Sequence, residues 1–196
     1  MKKQSFPLLL SEIRACQVCE AHLPHGPRPV VQASEQATLL IIGQAPGRRV
    51  HETGIPWNDP SGDRLREWLN LSRDVFYDER HVAIIPTAFC YPGKGKSGDL
   101  PPRPECAPLW HPRLMQALPD IRLTLLVGRY AQEFALGERC KPTLTETVAA
   151  FREYLPHYLP LPHPSPRNQS WWKANPWFEA QVLPVLRERT AAALAA

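Results

Sequence analysis

The sequence predicts an α/β fold, a three-layer sandwich around a central, mainly parallel four-stranded sheet. Three observations carry that expectation. Short apolar runs of strand length recur along the chain, segments of helical periodicity separate them, and no linker or internal repeat divides the 196 residues. Strands joined through helices pair in parallel, because a crossover returns each one to the same end of the sheet. One domain, 1–196, is therefore expected.

Residues 6–15 read as an opening helix, followed by a loop rich in His and Pro. Residues 37–43, with Leu39-Leu40-Ile41-Ile42 at their centre, are the first strand. In 61–71, Leu65, Trp68 and Leu69 fall at helical spacing behind Ser61 and Asp63 as capping candidates. A second apolar strand occupies 81–88, a helix 105–118, a third strand 123–128 and a short helix 129–136. Residues 158–161 form a weaker fourth strand interrupted by proline. A closing helix over 176–192 puts Phe178, Val182, Val185 and Leu186 on one face.

Composition narrows the functional classes. Hydrophobic residues at 43% and charged residues at 21% exclude wholesale disorder. No apolar run approaches the roughly 20 residues that span a bilayer, and the N-terminal leucine stretch is too short for a secretory signal. A cytoplasmic protein without a membrane partner is expected, and a monomer. A net charge of +4 suits a polyanionic partner without demanding one. With 23 prolines against 10 glycines, the loops should be rigid.

In a parallel sheet, ligands sit beyond the carboxyl ends of the strands. Gly43-Gln44-Ala45-Pro46-Gly47 follows the first strand and His163-Pro164-Ser165-Pro166-Arg167-Asn168 the last, so both should open at one edge and face each other across a cleft. The first loop lacks the spacing of a Walker or dinucleotide fingerprint. It is either a plain turn or a rigid frame that offers backbone amides and the Gln44 carboxamide to a small ligand. Trp57, Asn58 and Asp59 lie in a loop stiffened by Pro56 and Pro60. Trp57 either stacks on a planar base or covers the core, and Asp59 either serves the site or caps the next helix. In the second loop His163 sits between prolines as a donor near neutral pH, and Ser165, Arg167 and Asn168 can hold phosphate. Trp171, Trp172, Lys173 and Trp177 then form either a nucleic-acid face or a packing surface.

The five cysteines belong to a chain without an export signal, so a disulfide framework is not expected. Cys16 and Cys19 form a C-x2-C pair, Cys90 and Cys106 lie farther on, and Cys140 stands apart. Four thiolates suit either tetrahedral zinc or a four-iron four-sulfur cluster.

These motifs together resemble the uracil-DNA glycosylase superfamily over most of the chain. Gly43-Gln44-Ala45-Pro46-Gly47 is similar to the first motif of the family-4, iron-sulfur type, and Gly54-Ile55-Pro56-Trp57 to its Gly-x-Pro-Phe segment. His163 to Asn168 resembles the second motif, closest to the form in single-strand-selective glycosylases. The resemblance implies a uracil-DNA glycosylase-like fold and hydrolysis of the N-glycosidic bond of a deaminated base in DNA. It implies His163, Gln44, Asn58 and Asp59 as catalytic and Gly43, Ala45, Pro46, Gly47 and Trp57 around the flipped base. Ser165, Arg167, Asn168 and Lys173 would meet DNA, and Cys16, Cys19, Cys90 and Cys106 would hold a 4Fe-4S cluster in preference to zinc. Two positions depart from the family pattern. Ala45 stands where classical members carry a water-activating Asp, leaving Glu52, Asn58 or Asp59 to orient water. Pro86 stands where a base-reading Asn is usual, which opens alternatives to uracil: hypoxanthine, or lesion binding without catalysis.

Overall fold

The computed structural model describes residues 5–195. Its four strands, β1 (Leu39–Ile42), β2 (Val82–Ile84), β3 (Leu123–Val127) and β4 (Tyr158–Leu161), form one sheet in the order β2-β1-β3-β4 with every pairing parallel. Nearly every strand residue is buried, as expected for a parallel sheet covered on both faces. Alternate side chains divide between two cores, because successive residues of a strand point to opposite faces. Leu39, Ile41, Ile84, Leu125 and Leu159 meet α3 (Pro60–Leu69), α4 (Arg73–Tyr77), α7 (Leu144–Ala149) and α9 (Leu183–Leu194). Leu40, Ile42, Ala83 and Leu126 meet α1 (Phe6–Arg14), α5 (Cys106–Ala117) and α6 (Arg129–Leu136). These are the three layers that the sequence predicts.

Two further helices, α2 (Arg48–Thr53) and α8 (Gln169–Ala174), follow the loops after β1 and β4. Periodicity does not reveal α2, α4, α7 and α8, because at five or six residues each is too short to show a face. Their ends do carry signals, Ser72 capping α4 and a Thr143–Glu146 capping box opening α7. The expected second strand stops short of residue 88. Pro86 has no amide to donate, yet the amides of Ile85, Thr87 and Ala88 still reach the carbonyls of Ile41, Gly43 and Gln44. The expected closing helix is also interrupted. Pro184 cannot donate to the carbonyl four residues back, and a wide π turn over Phe178–Val182 precedes α9.

Both sheet edges are modified. Gln32 pairs antiparallel with Ile84 beside β2, and its buried side chain donates to the carbonyls of Phe76 and Val82 at 3.1 and 2.9 Å. On the other edge Pro160 lies within β4 opposite Leu126. Among the described residues no helix is long and apolar enough to cross a membrane.

The start of α3 shapes the segment that reaches the cleft. Asp59 is its N-cap, accepting from the Gly62 amide at 2.8 Å, and Pro60 supplies the first turn. Trp57 just before it has φ 54, in the left-handed region that side chains rarely occupy. The Arg66 guanidinium donates to the Trp57 carbonyl at 3.3 Å, and the Tyr77 hydroxyl donates to that of Pro56 at 2.9 Å. A Cβ on Gly62 would stand 1.7 Å from the Trp57 carbonyl oxygen, so only glycine admits this close approach. Gly62→Ala should cost about 3 kcal/mol and lower Tm by roughly 6–12 °C in thermal unfolding. An unchanged Tm would refute this account of the turn.

Candidate active site and cysteine recess

Because all four strands run the same way, the loops leaving β1, β2 and β4 emerge on one rim. Between them lies a cleft of about 570 Å³, within the roughly 300–1,000 Å³ typical of small-ligand sites. Gly43 to Gly47 line one side, and His163, Ser165, Arg167 and Asn168 line the other. Trp57, Asp59, Pro86 and Asp99 complete the wall. The two loops expected to face each other therefore do so across more than a hundred residues of sequence.

The first loop is held from below by the segment after β2. The Thr87 hydroxyl lies 2.8 and 2.7 Å from the carbonyl oxygens of Gly43 and Gln44, and its amide donates to Gly43 at 2.9 Å. Gly43 must be small, since a Cβ there would lie 3.0 Å from the Trp57 indole. The Trp57 ring thus packs on Gly43 and stands 5.6 Å from the His163 ring, tilted by 35°.

His163 is fixed by its own loop. The Ser165 amide donates to Nδ1 at 3.2 Å, and Asn168 Nδ2 donates to the His163 carbonyl at 2.8 Å. A backbone amide can only donate, so Nδ1 is an acceptor here and the proton of the neutral ring sits on Nε2. Burial holds the His163 pKa below the ordinary histidine value, against the pull of Asp59 and Asp99. The ring is accordingly a neutral donor. Gly128 beside it takes φ 85, a backbone conformation that favours glycine, and a Cβ there would merely touch that of His163 at 3.7 Å.

Other expected site residues divide into two groups. Ser165 and Asn168 line the cleft while bracing the turn, Ser165 Oγ accepting from the Arg167 amide at 3.2 Å. Asp59 lines it while capping α3. Asn58, Glu52 and Lys173 are not among the lining residues. Asn58 Oδ1 accepts from Arg73 at 3.1 Å, and Glu52 pairs with Arg48 at 2.8 Å. The tryptophans after the second loop pack inward. Trp171 donates to Thr145 at 2.8 Å, Trp172 lies under the Arg64 guanidinium at 3.9 Å, and Trp177 sits edge-on to Trp171. Sequence reasoning missed Asp99 and Thr87. Applying the strand-end rule to the second strand as well would have placed both on the rim.

On the opposite core, Cys16, Cys19, Cys90 and Cys106 line a single recess, reached from the end of α1, the segment after β2 and the start of α5. Burial pushes the Cys90 thiol up to about 11 and that of Cys106 up to about 12, and the charge of the neighbouring thiolates adds to both. The Phe89 amide donates to Cys106 Sγ at 3.4 Å. Among the described residues no three His, Cys, Asp or Glu side chains gather tightly enough to hold a single ion. Cys140 lies outside the recess.

His51, His111 and His163 all sit below the ordinary histidine pKa, burial being the first cause in each. The unfolded chain takes up protons below about 6.5 that the fold refuses, so stability is full above that value and declines as pH falls through it. Melting near pH 5.5 should therefore give a lower Tm than near pH 7.5, with a smaller gap in a His111→Gln variant. Equal melting at both would contradict the burial described here.

Known proteins bear on this geometry. Residues 30–187 match the family model of the uracil DNA glycosylase superfamily. A curated relative, the Type-4 uracil-DNA glycosylase of Archaeoglobus fulgidus, is 26% identical over 133 residues, 67% of this chain and 63% of that protein. The match therefore spans less than two thirds of the relative's length. A four-stranded parallel sheet, a cleft closed by two distant rim loops and a family match over most of the length lead to one assignment: this chain belongs to the uracil DNA glycosylase superfamily.

Proposed function

We propose that this chain is a monofunctional DNA glycosylase that hydrolyses the N-glycosidic bond of a deaminated base, uracil foremost. The observation that carries this reading is His163, a neutral imidazole whose Nδ1 accepts from the Ser165 amide and whose Nε2–H is left to donate in the cleft opposite the first loop. When a glycosidic bond breaks, negative charge builds on the leaving base. A positioned donor to its carbonyl oxygen stabilises that charge without gaining or losing a proton. The base must first leave the helix, at a cost of a few kcal/mol, and a shaped pocket offsets that cost. Trp57 supplies an aromatic wall, the Gln44 to Gly47 loop supplies amides, and Asp59 adds negative charge to the lining. Arg167 lines the cleft and is exposed, so it can meet a phosphate, and the exposed Lys173 on α8 is a second candidate for one.

Pro86 supports a second reading for the base. It has no side-chain donor or acceptor, and its carbonyl already lies 3.0 Å from His111 Nε2. Edge recognition then falls to the Gln44 carboxamide, which can face the keto oxygen and adjacent N–H of uracil or the same pair on hypoxanthine.

The four recess cysteines fit a 4Fe-4S cluster. They are the right donors and come from three segments. Bound there, the cluster would supply a cross-link among three segments of the chain and no step of hydrolysis. The family and the two cores on one sheet also support a single domain working as one chain on cytoplasmic DNA.

Purified protein should release free base from oligonucleotides carrying single uracil or hypoxanthine lesions, and His163→Ala should slow single-turnover release by about 100–1,000-fold. Lesion binding with no released base would instead establish a recognition module. Protein prepared without oxygen should contain iron and acid-labile sulfide with broad visible absorption, all lost in Cys90→Ser. Zinc without sulfide would overturn the cluster assignment.

A further inference from the structure

The first loop offers no carboxylate to the attacking water, because Ala45 ends at its methyl group. Among the described residues lining the cleft only Asp59 and Asp99 are acidic, and Asp59 Oδ1 is held by the Gly62 amide. We infer that Asp99 is the carboxylate that holds the attacking water and takes its proton, an inference that rests on the glycosylase reading and deepens it.

Three features fix Asp99 in place although its side chain is exposed. First, its segment is a closed hairpin: Lys94 bridges to Asp99, and the Gly95 and Leu100 amides donate to Gly98 and Gly93 at 2.6 and 2.9 Å. Second, the Tyr91 hydroxyl donates to Oδ1 at 3.4 Å. Tyr91 is itself 2% exposed, its ring stacked on His25 at 5.4 Å. Third, Oδ2 lies 3.6 Å from the Cβ position of Gly47, which brings the carboxylate against the first loop and into the wall that His163 shares.

The step balances with water as the only co-reactant. The bond from C1′ to the base nitrogen breaks and its electron pair leaves with the base, whose carbonyl oxygen accepts from His163 Nε2–H. The electron-poor C1′ forms a bond to the water oxygen, and the proton of that water passes to Asp99. Asp99 returns it to solvent, and the base takes one proton from solvent. The products are the free base and a sugar bearing a hydroxyl.

The test measures single-turnover release from a uracil-bearing single-stranded oligonucleotide, together with binding of the same strand and melting of each variant. Asp99→Asn should release base about 100-fold more slowly or worse, with Tm unchanged and DNA binding no weaker than wild type. Asp99→Ala should regain rate when formate is added, because a small carboxylate can occupy the vacated space. Asp99→Asn releasing base within about threefold of wild type overturns the inference while leaving the glycosylase reading intact. An unrescued loss overturns it too, as does formate rescue of Asp59→Ala alone. Wild-type protein that releases no base from any lesion overturns both.

Discussion

One backbone amide decides what the cleft can do. The Ser165 N–H, aimed at His163 Nδ1, dictates which ring nitrogen carries the proton, and burial keeps the ring from acquiring a second one. Without that donor the imidazole could turn over, and the group facing the cleft would alternate between donor and acceptor. The prolines flanking His163 and the Asn168 bond back to the His163 carbonyl help to hold this one bond in register. A charged donor would attract any anion that reaches the cleft. A neutral donor with a fixed tautomer discriminates by position.

The opposite wall depends on a strut running from the recess to the rim. Cys106 Sγ accepts from the Phe89 amide, the buried His111 of the same helix meets the Pro86 carbonyl, and Thr87 holds two carbonyls of the first loop. Cysteines that form no part of the cleft are thereby linked to its geometry through four consecutive residues. His111 is almost wholly buried and stacked on Phe89, so the strut has little freedom to bend. The recess and the rim therefore share one run of chain, residues 86–89.

The layers, the parallel sheet and the meeting of the two loops were legible because short apolar runs and the rule for parallel strand ends are both properties of local sequence. β4 was readable despite its proline, and α6 was readable because it begins where β3 ends. Four short helices were hidden, since one and a half turns show no periodicity and their caps resemble ordinary turn residues. Within the cleft, His163, Trp57 and the first loop could be read from punctuation by Pro and Gly. Thr87 and Asp99 carry no such punctuation, and only the strand-end rule applied to β2 points to them; their partners, the Gly43 and Gln44 carbonyls and the Tyr91 hydroxyl, become visible in the fold. The tryptophans after the second loop illustrate the reverse difficulty: three indoles beside a lysine look like a surface for bases until the core they cover is known.

The sheet margins carry a consequence of their own. A parallel sheet normally leaves two rows of unsatisfied amides and carbonyls that a stray strand from another molecule can extend. Here Gln32 already occupies the hydrogen-bonding positions beside β2, with its side chain as well as its backbone, and Pro160 deletes a donor from the far margin. Neither flank invites strand addition. A strand added at either margin would therefore have to displace Gln32 or forgo a hydrogen bond at Pro160.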